Sequence, residues 1–266
     1  MNPALVGARR LTLLAVPLAV IASGSGAFRP GLYRDPAAII PAMRGQDLVT
    51  LAASGLLLVA VRAAGRGSGR GLLAWIGLLG YMVYAFTGAA FAYHFNELFP
   101  VYIALFATSI AALVACLGGT NVVELRERFD PATPKLAVAL FLVFIAAVLG
   151  VSELGQIVQA LSAGTVPDLI ARSGGAGNFV YVLDLGVVLP ASLLGAWWLL
   201  RDEPWGYVLA GSLLIKASTM GLALLAATWL SVRAGLALET GLTLGYGAIA
   251  FGALGLSVWF FQHCKE

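Results

Sequence analysis

Charged side chains are scarce in this sequence: Asp, Glu, Lys and Arg make up 11% of its 266 residues, against 60% hydrophobic ones. A soluble domain carries roughly a quarter charged residues, so a water-exposed globular fold is excluded. The formal charge of +3 is too small and too dispersed for a nucleic-acid face, which requires clustered Lys and Arg. Histidine occurs twice, at His94 and His263, and no metal-ligand cluster is visible. Cysteine also occurs twice, at Cys116 and Cys264, which excludes a disulfide framework. The chain has no His-Glu-x-x-His helix, no phosphate-cradling glycine loop and no Gly-x-Ser-x-Gly elbow. These absences imply no cofactor and weigh against an enzyme without excluding one.

Long apolar runs are what the sequence does have, with a mean hydropathy of +0.92. A hydrocarbon core about 30 Å thick takes about 20 apolar residues per helix. Backbone groups in lipid must be satisfied within the protein, and uninterrupted runs select helices over a barrel. The expectation is an all-α polytopic bundle forming one transmembrane domain over residues 1–266, with the lipid bilayer as its surroundings. Eight spans are predicted, at 10–28, 47–64, 71–92, 100–118, 135–153, 179–200, 206–230 and 237–260. On that topology ten cationic residues, Arg9 and Lys135 among them, fall on the side of the termini and five on the other. The positive-inside rule then puts both termini in the cytoplasm, and the expected location is a bacterial inner membrane. A competing reading takes the first segment as a signal peptide cleaved after Ala27. Two long outer loops are expected, 29–46 with a short helical piece at Ala37–Ile40, and 154–178 ending in the glycine-rich Ser173–Gly177.

Lys216 stands in the middle of the seventh run, and a charge at that depth normally faces the bundle interior, a partner or water. The candidate binding cavity comprises Lys216, Asp184, Tyr84, Tyr81, Asn96, Tyr246 and Glu239. Ser54, Ser109, Ser212 and Thr219 lie at similar height. Asp184 is about seven residues from the level of Lys216, an offset near 10 Å, so a shared wet cavity is expected rather than direct pairing. Asp47, Glu97, Glu153, Asp184 and Glu239 all fall at or within the outer ends of spans and could line a mouth that admits cations or protons; Asp47, Glu97 and Glu239 read first as helix-start acids or partners of outer arginines. A lysine able to shed its proton would serve as a proton relay or an amine nucleophile; otherwise hydroxyls and carbonyls solvate it. In the eighth span, Gly241, Gly245, Ala248, Gly252 and Gly255 form a small-residue seam suited to close helix packing. Glu239, Thr243 and Tyr246 form a separate polar stripe.

Several motifs recur together: Tyr81-x-x-Tyr84, Phe95-Asn96-x-Leu98-Phe99-x-x-Tyr102, the run Asp184–Pro190, and Arg201-x-x-Pro204-Trp205-Gly206-Tyr207 followed by Lys216. On these, residues 45–230 resemble a family of small bacterial multi-span membrane proteins without a settled activity. The resemblance implies the fold type and no function. The lysine also gives a superficial resemblance to microbial rhodopsins, but Ser212 stands where their aspartate would. Three function classes remain. The first is a transporter or binder of a small molecule or ion through an outward-facing polar cavity. The others are an accessory subunit engaging a membrane protein partner, and an intramembrane enzyme.

Overall fold

The computed structural model describes residues 2–174 and 178–266; part of the expected flexible stretch Ser173–Gly177 lies outside the described residues. Among the described residues eight helices are long and apolar enough to cross a membrane, and the chain is a multi-span integral membrane protein. In chain order the helices are α1 (Pro3–Phe28), α2 (Ile40–Gly65), α3 (Gly69–Phe91), α4 (Phe99–Gly119) and the short α5 (Val122–Glu127). Then come α6 (Lys135–Ala163), the short α7 (Asp168–Ser173), and α8 (Phe179–Leu183), which continues through a π-helical turn, Asp184–Val188, into α9 (Leu189–Leu200). Helices α10 (Pro204–Arg233) and α11 (Thr240–Gln262) complete the bundle.

Local chemistry sets most boundaries. Asn2 starts α1 by accepting from Leu5 N–H, and Ser68 starts α3 by accepting from Gly71 N–H. Pro41 sits in the first turn of α2 and Pro204 in that of α10, where a missing N–H costs nothing. Gly164 ends α6 in the left-handed conformation, with φ of 63°.

α3 and α10 form the centre. Of the apolar window of α3, 72% is enclosed, more than in any other span. α10 packs against α2, α3, α9 and α11, while α1 packs against α2 and α4, and α6 against α9. Close approach depends on small residues: a Cβ on Gly221 would meet Ala250 Cα of α11 at 2.8 Å. Trp75 of α3, fully buried, donates its indole N–H to Thr12 Oγ of α1 at 3.0 Å.

Both ends of the chain lie at one face of the bundle, called here the termini end. Arg70 donates to Cys264 O at 3.0 and 2.8 Å, and Lys265 N–H donates to Arg128 O at 2.8 Å. Asp202, in the α9–α10 turn, accepts from Tyr207 at 2.5 Å, from Lys135 at 2.9 Å and from Arg126. Those three bonds hold its carboxyl well below the usual carboxylate range.

Four sequence expectations are corrected here. The first span begins at Pro3, seven residues before the expected start at residue 10, as a 26-residue helix packed on α2 and α4. α2 begins at Ile40, shortening the first far-end connection and leaving Asp47 two turns inside the helix instead of at its start. α6 runs ten residues past Glu153 to Ala163, because nothing in Leu154–Ala163 breaks a helix before Gly164. The α11 seam does not pack inward: Gly241, Gly245, Ala248 and Gly255 are exposed, and only Gly252 approaches a neighbour, Phe141.

Candidate functional site

Lys216 lies three turns into α10, with its ammonium 4.3 Å from the centre of the Tyr84 ring on α3. A cation on the face of a desolvated ring gains about 0.5–2 kcal/mol, which offsets part of the cost of its depth. Ser212 donates to Leu73 O and Thr219 to Ile215 O, so neither hydroxyl is committed to the lysine.

Two carboxyls complete the neighbourhood. Asp184, buried to 8% exposure, faces the Tyr84 hydroxyl and Glu153, and both acids lie within electrostatic reach of Lys216. Among the described residues Lys216 makes no ion pair within 4.0 Å, so the ammonium and the acids share a region without direct contact. Glu153 is 7% exposed and its Oε2 has no hydrogen-bond partner. Tyr181 of α8 closes one side by donating to Gln156 Oε1 of α6 at 2.9 Å. Phe179 packs edge-on against Tyr84 with centroids 5.9 Å apart, fitting into the space that Gly88 leaves open.

The π-helical turn explains how Asp184 is presented. Pro190 has no N–H, and its ring would crowd the Gly186 carbonyl in a regular α-helix. The chain widens instead, Leu189 N–H bonding to Asp184 O, and such widened turns recur at functional sites.

The remaining sequence candidates separate from this cluster. Tyr81 is fully buried and hydrogen-bonds Thr50 of α2 at 2.8 Å. Asn96 belongs to the far-end loop, where it accepts from Leu98 N–H at 3.0 Å and donates to His94 O at 3.4 Å. Glu239 is exposed and pairs with Arg172 at 3.5 Å, while Glu97 pairs with Arg29. Tyr246 is half-buried on α11, with Glu239 as its neighbouring charge. Ser54 bonds to its own helix at Thr50 O, and Ser109 lines a small apolar cleft among α1, α2, α3 and α4. Lys216 lines neither that cleft nor the open surface groove beside Lys135 and Trp259. Within the cluster Asp184 and Glu153 are buried, and Lys216 is partly exposed.

Glu153 is the member expected among the outer-end carboxylates but not among the residues of the cavity. Its signal was present: the apolar residues Leu154, Ile157, Val158 and Leu161 continue the helix beyond it, placing the acid inside the span.

A far-end polar group surrounds Asp47. Tyr33 donates to Asp47 Oδ2, and Tyr33 and Tyr93 stack edge-on at 5.7 Å. Burial first, then the Asp47 carboxylate, raises both phenols well above their ordinary range, so they act as hydrogen donors. Asp35, with a side chain 2% exposed, accepts from His94 N–H at 3.0 Å.

No protein-family model, no curated protein and no solved structure matches this chain.

Proposed function

We propose that this protein binds or transports a small molecule or ion across the membrane, using Glu153, Asp184, Lys216 and Tyr84 as its site. The observation that carries this reading is the unpartnered Glu153 Oε2, buried beside a second carboxyl and a lysine within the spans. Isolated charge inside a membrane is costly, and such residues mark ion pathways and proton relays. Two carboxylates and one ammonium sum to −1, so a proton or one monovalent cation neutralises the group, which favours a cationic occupant. The π-helical turn supplies a local element able to change register on occupancy. The positive-inside rule favours a cytoplasmic termini end, and with it a cell-membrane location.

Ligand-dependent thermal stability of the full chain in detergent tests this, since a ligand selective for the folded state stabilises it by mass action. Screening lithium, sodium, potassium, ammonium and pH, one cation or a proton should raise the melting temperature of wild type. Asp184→Asn should remove that response. A melting temperature indifferent to every cation and to pH in wild type would dismiss the reading.

An accessory-subunit role is the second reading, supported by the exposed small face of α11 at Gly241, Gly245, Ala248 and Gly255. Cysteine crosslinking at Gly245 in native membranes should then give one discrete adduct, whereas a ladder or no adduct would count against it.

A further inference from the structure

Glu153 and Asp184 are not equivalent, although both are buried carboxyls beside one lysine. Asp184 faces a donor, the Tyr84 hydroxyl, and the Lys216 ammonium feels its charge more strongly than that of Glu153. The ammonium itself rests on the Tyr84 ring at 4.3 Å. Tyr84 therefore joins Asp184 to Lys216, through its hydroxyl and its face. Glu153 comes to the group on α6, and no donor among the described residues reaches its Oε2.

Four titratable groups face Glu153, each from a different element: Asp184 of the π-helical turn, Tyr84 of α3, Tyr181 of α8 and Lys216 of α10. Tyr181 gives its hydroxyl proton to Gln156 instead, at 2.9 Å. The Tyr84 hydroxyl is turned to Asp184, and among the described residues Lys216 makes no ion pair within 4.0 Å. What remains against Glu153 is the Asp184 carboxyl, which in its charged form accepts hydrogen bonds and has none to give. Two acceptors facing each other out of water are satisfied when one of them carries a proton. Two ionised carboxylates in that position repel.

Charge balance says which one. Asp184 as carboxylate and Lys216 as ammonium cancel, so a neutral Glu153 leaves the group uncharged within the spans, the state that membrane depth favours. A metal cation could neutralise Glu153 only by lying close to the Lys216 ammonium, which repels it. A proton bonds to the Glu153 oxygen and removes a charge instead of adding one beside the lysine.

We infer that the ion handled by this site is a proton, carried by Glu153 as a carboxylic acid that donates to Asp184. Asp184 stays ionised as the counter-ion of Lys216. This assignment rests on the function proposed above and specifies its ion. On release, the Glu153 O–H bond breaks, its electron pair stays on the carboxylate, and the proton goes to water. Uptake is the reverse, and no electron changes hands.

Infrared titration of the full chain in nanodiscs tests it on wild type itself. A protonated-carboxyl band should be present and should disappear as pH rises. A heavy-carbon label at the side-chain carboxyl of glutamate should shift that band to lower wavenumber, and the same label in aspartate should leave it in place. Raising sodium, potassium or lithium at constant pH should not change it. Glu153→Gln should remove the band, and Glu153→Asp should return one that follows the aspartate label. Asp184→Asn should also lose it, because Glu153 is then the only counter-ion of Lys216 and stays ionised. A wild-type band that follows the aspartate label, or one that survives in Glu153→Gln, overturns the inference and leaves the proposed function standing. So does a band removed by an alkali cation at constant pH. If neither pH nor any cation changes a carboxyl band or the melting temperature, the proposed function falls and the inference with it.

Discussion

Tyr84 meets Lys216 with its ring and Asp184 with its hydroxyl, so substitution separates the two roles. Tyr84→Phe keeps the face for the ammonium and should change stability by less than about 1 kcal/mol, on the scale of one lost hydrogen bond. Tyr84→Ala removes ring and hydroxyl and should cost about 3–5 kcal/mol, read as the shift in a detergent denaturation curve. Equal losses in the two variants would show that the lysine does not depend on the ring. At the termini end, Asp202 gives a pH prediction of definite sign. Its folded carboxyl titrates below its unfolded value, so the stability it contributes is complete above about pH 4 and is lost as pH falls toward the folded value. Melting temperature should therefore decline on acidification below about pH 4, and Asp202→Asn should make that decline shallower. An unchanged slope would mean that the three bonds to Asp202 do not survive in solution.

Pro190 sets the register of the sixth span, and Pro190→Ala tests that element as a unit. Restoring the N–H should let the π-helical turn relax to α-helix and raise stability, by up to about 3 kcal/mol on helix propensity. The same change rotates Asp184, so the ligand or pH response should weaken although the protein melts later. Gly221→Leu should instead destabilise the α10–α11 pair by at least about 1–3 kcal/mol, because the Ala250 backbone stands where the side chain must go. Most of this architecture was legible from hydrophobic run length, since lipid thickness dictates helix length whatever the side chains do. Lys216, Asp184 and Tyr84 were legible as well, each being a polar residue inside an apolar run. Glu153 and Asp47 were legible only as outer-end carboxylates, because an acid near the end of a run was taken as its boundary, whereas both helices continue through the charge. The orientation of α11 was also missed: a small-residue seam signals close packing but does not say against what, and Ala250, Ala253, Ser257 and Phe260 turn inward in its place.

Across the bundle, the polar groups divide by depth. The termini end is tied together by Arg70, Arg126, Arg128 and Lys135 with Asp202 and the C-terminal tail, and it carries the rigid aromatic cluster of Phe129, Tyr207 and Phe260. Burial pushes the Cys264 thiol in that tail up to about 11, so maleimide should label it slowly in the folded protein and readily after denaturation. Rapid labelling of the folded chain would show the tail undocked. Beyond this braced base, buried polar atoms without a partner occur at Glu153 and around Asp47, and also at Ser109 and Ser192 deeper in the bundle.

The most direct measurement is the infrared difference spectrum of the reconstituted full chain on a step in pH or in the stabilising cation. A carboxyl band that changes in wild type and vanishes in Glu153→Gln/Asp184→Asn is the predicted result. A wild-type spectrum with no carboxyl change, or one that persists intact in the double variant, would contradict an exchangeable ion at the Lys216 cluster.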